Sequence, residues 1–388
     1  MDLADGLLDH PYDAYRRLRD SAPVHRITGP DGTPAWLVTR YDDVRTALAD
    51  PRLSLDKQHA TAGTYKGFSL PPALDANLLN MDPPDHTRVR RLVGRAFTPR
   101  RVQQLRAPIR RTADALLDAL GPHGSADLVA AYAAPLPITV ICDLLGIPDE
   151  HRLDFRAWTD VLVAPDPARP QAGKEAVAAM LGYFTRLLGD KRADPGDDLL
   201  SDLIAVREAG DRLSEDELMS LAFLILFAGY ENTVQLIGNS VLALLTHPAQ
   251  LAELRRDPGR LPSAVEEFAR YEGPALFAIR RFPVEDVTIA GVTVPAGETV
   301  WLSLAAANRD PARFPDPDRL DLGRDATGHL ALGQGIHYCI GAPLARVETE
   351  IALAALLERF PDLALGDGEL RRRRSLRARG LVALPVTY

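Results

Sequence analysis

Leu332-Gly333-Gln334-Gly335-Ile336-His337-Tyr338-Cys339-Ile340-Gly341-Ala342-Pro343 is the stretch on which the reading of this chain turns. Gly333 and Gly335 stand six and four residues before Cys339, and Gly341 stands two after it. That spacing predicts a tight loop that presents the sulfur. Beyond it Leu344, Val347, Ile351 and Ala354 recur at helical spacing, so Cys339 sits near a helix N-terminus. A thiolate gains there from the helix dipole and from free backbone N–H groups. Glycine lets such donors approach closely. An anionic sulfur held in this way suits a metal, because a thiol must lose its proton to become a ligand.

Taken alone, the cysteine leaves other readings open. A buried inert thiol is one. Structural zinc is a weaker one, because it wants four ligands and only His337 lies near in sequence. A cysteine nucleophile lacks an evident base partner. Cys142 and Cys339 are the only cysteines among 388 residues, and no basic region with an apolar run follows Met1. Free thiols in a reducing cytoplasm are therefore expected. The net charge of −8 gives no reason to expect nucleic acid as a partner. Leu221–Phe227, the longest strongly apolar stretch, is far short of the roughly 20 residues that span a bilayer. No membrane attachment is expected.

Along the chain, 46% hydrophobic and 25% charged residues are ordinary for a globular protein. Length alone suggests two or three domains, yet no repeat or linker divides the sequence. The expectation is one mainly helical domain over 1–388 with small β-sheets, near the upper size for a single core. β-rich text lies near 25–40 and 282–302, the first following the turn Gly29-Pro30-Asp31-Gly32. Residues 56–80, with Gly63, Gly67, Pro71 and Pro72, predict a long loop. Helical text runs from about Asp85 to Leu254, broken near Pro122-His123-Gly124 and between Pro165 and Pro170. A long helix should start at Ser214, with Glu217 completing a capping box, and end before Pro248. A Pro- and Asp-rich meander covers Asn308–Asp325.

Three further patterns have bland readings when taken singly. Glu267 and Arg270 are i,i+3 neighbours on one helix face, as in many surface pairs. His86 and Arg90 share a helix face that could be merely solvated and basic. Ala228-Gly229-Tyr230-Glu231-Asn232-Thr233 places a glycine, which costs roughly 1 kcal/mol against alanine, inside the long helix.

Together with the Cys339 loop, these patterns resemble the cytochrome P-450 superfamily in order from about residue 10 to the C-terminus. The haem-binding loop pattern matches at Gly333, Gly335, His337, Cys339 and Gly341, and departs at Leu332, where the family usually carries phenylalanine. The resemblance implies a single-domain fold with haem b between a long distal helix and a proximal helix led by the Cys339 loop. Cys339 would be the axial ligand. His86, Arg90, Arg281 and His337 would hold the haem propionates, with Leu332, Gly333 and Gly341 against the cofactor. Glu267 and Arg270 would tie their helix to the meander. Ala228 and Gly229 would face the haem where the distal helix widens for dioxygen. Glu231, Asn232 and Thr233 would carry the catalytic polar chemistry. The family's first threonine is Asn232 here, and an amide donates hydrogen bonds without readily passing a proton on. Glu231 would then gate solvent protons, with proton delivery through ordered water or a substrate hydroxyl.

The same resemblance implies hydroxylation or epoxidation of a medium-to-large apolar molecule of polyketide or macrolide type. Phe223, Phe227, Leu276, Phe277, Ala278 and Ile279 would line its pocket, together with segments near 56–80 and 158–180. Electrons would come from ferredoxin and its reductase, since no flavin- or nicotinamide-binding domain fits. Arg346 and Arg101 are docking candidates, and Arg371–Arg374 predicts a solvated turn. A monomer is expected. A haem-thiolate module that senses a ligand without oxidising it is the rival, and peroxide-driven oxidation is a variant suggested by Asn232.

Overall fold

A computed structural model describes residues 11–29, 32–61, 70–94, 97–163, 168–169, 171–208, 213–373, 375 and 378–388. The N-terminal half carries α1 (Pro11–Ser21), α2 (Tyr41–Ala49), α3 (Pro72–Asp75), α4 (Asp85–Gly94), α5 (Pro99–Leu120), α6 (Pro135–Leu145) and α7 (Arg152–Val163). There follow α8 (Ala172–Ala193), α9 (Leu199–Glu208), α10 (Glu215–Thr246), α11 (Pro248–Arg256), α12 (Leu261–Glu272), α13 (Leu304–Asn308) and α14 (Ala342–Arg359). The expected break at 165–170 lies largely outside the described residues.

Local chemistry sets the ends of the helices that matter most. Ser214 Oγ accepts from the Glu217 amide at 3.1 Å, and Glu217 Oε2 accepts from the Ser214 amide at 2.7 Å. This reciprocal cap starts α10 where the sequence predicts. His247 and Pro248 end it. Thr98 caps α5 and Pro99 opens it. The 32 residues of α10 are long and apolar enough to cross a membrane, yet 78% of the apolar window is buried inside the protein. It is the central core helix, packed by α6, α12 and α14.

The sheets are small and lie to one side. β1 (Val24–Thr28) pairs antiparallel with β2 (Pro34–Val38), Val24 opposite Val38. β2 runs parallel to β3 (Thr299–Leu302), Ala35 opposite Thr299. Val38, Val300 and Leu302 from this sheet form a second apolar cluster with Val44 and Leu48 of α2. Where a long loop was expected at 56–80, a 3-10 turn at Lys57–His59 and the short α3 occur; residues 62–69 lie outside the described residues. The short strand Ser125–Asp127 and the π-turn Val129–Ala133 had no separate sequence signal.

Glu267 and Arg270 are fully buried and form a salt bridge at 2.6 Å. Arg270 also donates to the carbonyls of Asn308 at 3.0 Å and Pro317 at 2.8 Å, and Glu267 accepts from the Asp321 amide at 3.0 Å. The pair therefore fastens α12 to the meander. Buried charges persist only when their remaining donors and acceptors are also satisfied, as they are here.

Candidate active site

The Cys339 loop closes on itself. Gly333 N–H donates to the Leu330 carbonyl at 2.9 Å, Cys339 N–H to the Leu332 carbonyl at 2.9 Å, and Gly335–His337 make a 3-10 turn. Gly333 and Gly335 have φ of +77° and +73°, left-handed backbone that L side chains disfavour. At Gly335 a Cβ would also lie 3.2 Å from the Leu48 carbonyl oxygen and from Ala49 Cα. The loop thus docks backbone to backbone on the end of α2.

Gly341 caps α14, and Cys339 is an exposed residue just before it. Desolvation by the protein atoms crowding the sulfur pushes the thiol above its ordinary value. The amides of Gly341 and Ala342 and the charges of Arg90 and Arg346 pull it back. A cationic metal is what such a sulfur needs to stay ionised. Among the described residues no three His, Cys, Asp or Glu side chains gather to hold a metal ion, so the zinc reading finds no support.

Around this loop four side chains from three segments bring positive charge or N–H donors, His86 and Arg90 both on α4. His86, on α4, is 1% exposed, and neither ring nitrogen has a partner among the described residues. Its ring centroid lies 4.2 Å from that of His337, whose Nε2 is likewise unpartnered among those residues. Arg281 is 4% exposed, donates to the carbonyls of Leu53 at 3.1 Å and Leu48 at 3.4 Å, and keeps an unpartnered Nε. Arg90 donates to the Tyr338 carbonyl at 2.6 Å.

Burial, then the neighbouring Arg281, His86 and Arg90, push His337 down to about 3. Burial and Arg90 also lower His86, and burial lowers Arg281 to about 10. Buried polar atoms are nearly always paired, so this cluster is built for an anion. A ligand with two carboxylates fits it, and haem propionates have that chemistry.

Mid-course, α10 opens in one place. In an otherwise buried stretch of α10, Ala228 and Asn232 are exposed one turn apart, flanked by half-buried Phe227 and Gly229. Asn232 Nδ2 makes only a long 3.5 Å bond to the Ala228 carbonyl, leaving the amide available. Thr233 is buried, and its hydroxyl donates to the Gly229 carbonyl at 3.0 Å. A Cβ on Gly229 would fall 2.8 Å from Ile141 Cδ1, so close packing of α6 on α10 accounts for this glycine.

Glu231 is 4% exposed. One carboxylate oxygen accepts from Gln235 Nε2 at 3.0 Å and lies 3.4 Å from Arg373 Nε; the other has no partner among the described residues. Burial raises this carboxyl, while Arg373 and Gln235 hold it down.

Sequence reasoning had no sign of Arg373. Instead of a solvated turn, Arg372 pairs with Glu272 at 3.3 Å, and Arg373 is only 12% exposed in its pair with Glu231. Arg374 lies outside the described residues. A basic run reads alike whether it faces water or folds back over buried acids.

The apolar candidates divide. Phe223 is 5% exposed and stacks on Phe227 with ring centroids 5.6 Å apart. Leu276 and Phe277 are buried in a core cluster with Tyr15, and Phe277 packs edge-on to Trp301. Ala278 is half-buried, and Ile279 is the open one of the four at 38% exposure. Of the docking candidates, Arg346 pairs with Glu266 at 2.5 Å and Arg101 with Asp202 at 2.8 Å.

A cysteine presented at a helix N-terminus beside an anion cradle is the arrangement the resemblance to a haem-thiolate class of site leads one to expect. Comparison with known proteins agrees. The Cytochrome P450 family model matches residues 171–373. The chain is 51% identical over 383 residues to cytochrome P450 monooxygenase PikC of Streptomyces venezuelae, covering 97% of this chain and 91% of that protein. It is 50% identical over 381 residues to the vitamin D(3) 25-hydroxylase of Pseudonocardia autotrophica, covering 97% and 94%. The structure of the tirandamycin C-bound P450 monooxygenase TamI matches with a TM-score of 0.93 and 43% identity, covering 100% of this chain and 99% of that one. The chain belongs to the cytochrome P450 family and is a monooxygenase.

Proposed function

We propose that this protein is a single-domain, monomeric, cytoplasmic haem b enzyme that uses dioxygen to hydroxylate or epoxidise a medium-to-large apolar natural product of polyketide or macrolide type. The observation that carries the reading is the cluster of His86, Arg281 and His337 beside Cys339, in which both His86 nitrogens, Arg281 Nε and His337 Nε2 have no partner among the described residues. Cys339 would hold the iron, and His86, Arg90, Arg281 and His337 the two carboxylates of the cofactor. When bound, a thiolate-ligated haem supplies the oxidising chemistry, because the thiolate pushes electron density that favours O–O cleavage. The chain's own residues position substrate, exclude water and move protons.

Asn232 presents an amide to the open stretch of α10 and orders water or a substrate hydroxyl there. Glu231, buried with one oxygen unpartnered among the described residues, passes protons inward from solvent. Phe227 and Ile279 offer apolar surface to the substrate. Relatives named for vitamin D(3) and tirandamycin C support a substrate of that size and character. Ferredoxin and its reductase would supply electrons.

Two measurements test the reading. Reduction under carbon monoxide should give the red-shifted band of a thiolate–carbonyl complex; its absence sinks the cofactor assignment. Turnover with a surrogate ferredoxin system then separates an enzyme from a ligand sensor. Asn232→Ala should retain substantial coupled turnover with the native substrate, and collapse into peroxide would contradict the water-or-substrate relay.

A further inference from the structure

Arg373 lies between two acids that come from different helices. Its Nε is 3.4 Å from Glu231 Oε1 on α10, and an Nη is 3.7 Å from Asp160 Oδ1 on α7. Neither contact is a short bidentate pair, so one guanidinium is divided almost evenly between two carboxyls. The two acids differ in setting: the Glu231 side chain is 5% exposed and that of Asp160 is 42% exposed. Asp160 is also served by Arg156, whereas Arg373 is the one cation bearing on Glu231 among the described residues. Any share of that charge drawn to Asp160 lets the Glu231 carboxyl take up a proton more readily.

The backbone that carries Arg373 is clamped to α10. Leu381 N–H donates to Gln235 Oε1 at 2.6 Å, Asn239 Nδ2 donates to the Arg379 carbonyl at 2.9 Å, and Arg373 N–H donates to Gly380 at 2.9 Å. Gln235 Nε2 also donates to Glu231 itself. Arg373 and Glu231 are therefore fixed relative to one another, whereas Asp160 reaches in from a separate helix.

We propose that Arg373 is a positioning residue that shares its charge between Glu231 and Asp160, so that the distance of α7 from α10 sets how readily the Glu231 carboxyl gives and takes a proton. When Asp160 draws Arg373 away, Glu231 is released to act as a proton donor. When Asp160 recedes, Arg373 holds Glu231 ionised. This rests on the reading of Glu231 as the proton gate. Among the described residues the charged groups that reach Glu231 are Arg373 and Asp160; the Tyr230 phenol beside it and Gln235 on the same helix are neutral.

The test is infrared titration of the haem-loaded protein, following the carbonyl stretch of a protonated buried carboxyl, assigned by its loss in Glu231→Gln. Arg373→Gln should increase the proton affinity of that group by about tenfold or more, because an opposite charge within ~4–6 Å shifts a carboxyl by about one unit or more. Asp160→Asn should move the titration the opposite way, and Arg373→Lys should restore the wild-type position. An Arg373→Gln titration superimposable on wild type overturns the proposal. Should Arg373→Gln fail to fold, Asp160→Asn, at a half-exposed position, decides alone: an unmoved titration overturns it. Product formed per electron pair is measured in parallel. Unchanged coupling in Glu231→Gln would refute the proton gate, whatever the infrared titration shows about Arg373.

Discussion

Replacing Gly335 by alanine tests the account of the Cys339 loop most directly. Two costs are expected. The left-handed backbone at φ +73° disfavours any L side chain by roughly 1–2 kcal/mol. The new Cβ also comes within 3.2 Å of Leu48 O and Ala49 Cα, backbone atoms that no rotamer change can move. Overpacking of this kind adds about 1–3 kcal/mol, for a total of about 2–5 kcal/mol. Gly333→Ala is the matched control. Its φ is +77°, but its Cβ meets nothing nearer than 3.7 Å, so only the first cost applies. Ala49→Gly in the Gly335→Ala background removes the Ala49 Cβ at 3.5 Å but neither backbone contact, so rescue should be partial. The assay is the urea midpoint for loss of the thiolate–carbonyl band, with slopes compared so that a midpoint shift reports stability. Equal midpoints for Gly335→Ala and Gly333→Ala would refute the docking of this loop on α2.

Arg270→Met should cost about 3–5 kcal/mol by stranding the fully buried Glu267, and should abolish recovery of folded, haem-loaded protein; an unchanged melting temperature would contradict this. His86→Leu and Arg281→Met should each remove about 1.5–3 kcal/mol of charge-assisted hydrogen bonding to the cofactor. Haem transfer to an excess of an apoprotein acceptor should then quicken roughly 10- to 150-fold; an unchanged rate would remove that residue from the cradle. Burial opposes ionisation of Glu266, but Arg346 and His329 hold its carboxyl down at about 2, below the ordinary 4.5. Its folded value is depressed, so its contribution is present above 4.5 and is lost as pH falls toward about 2. Glu266→Gln should flatten the stability–pH curve in that window, as read by denaturation midpoints.

Much of this molecule was legible in its residues because the information is local. A cap such as Ser214 with Glu217 joins atoms three residues apart, so the start of α10 follows from adjacent chemistry. The left-handed turns at Gly333 and Gly335 likewise belong to single residues. The tie from Glu267 and Arg270 to the meander also emerged as expected, through the family resemblance rather than from an i,i+3 pair that looks like any surface pair.

What the tertiary structure alone decided depends on burial and on contacts between distant segments. Leu276, Phe277, Ala278 and Ile279 are one apolar run in sequence, yet the fold buries the first two among Tyr15 and Trp301 and leaves Ile279 open. Gly229 sits in the motif expected from the resemblance to serve dioxygen, but its lack of a side chain is explained by Ile141 on α6. His86 and His337 become an anion cradle only when their rings meet 4.2 Å apart, with both His86 nitrogens and His337 Nε2 unpartnered among the described residues. Arg373 finds Glu231 and Asp160 only after the backbone at Arg379 and Leu381 is clamped to α10. Charge and hydrophobicity are written residue by residue. Which groups lose water, and which partner replaces it, is settled only when the chain closes around them.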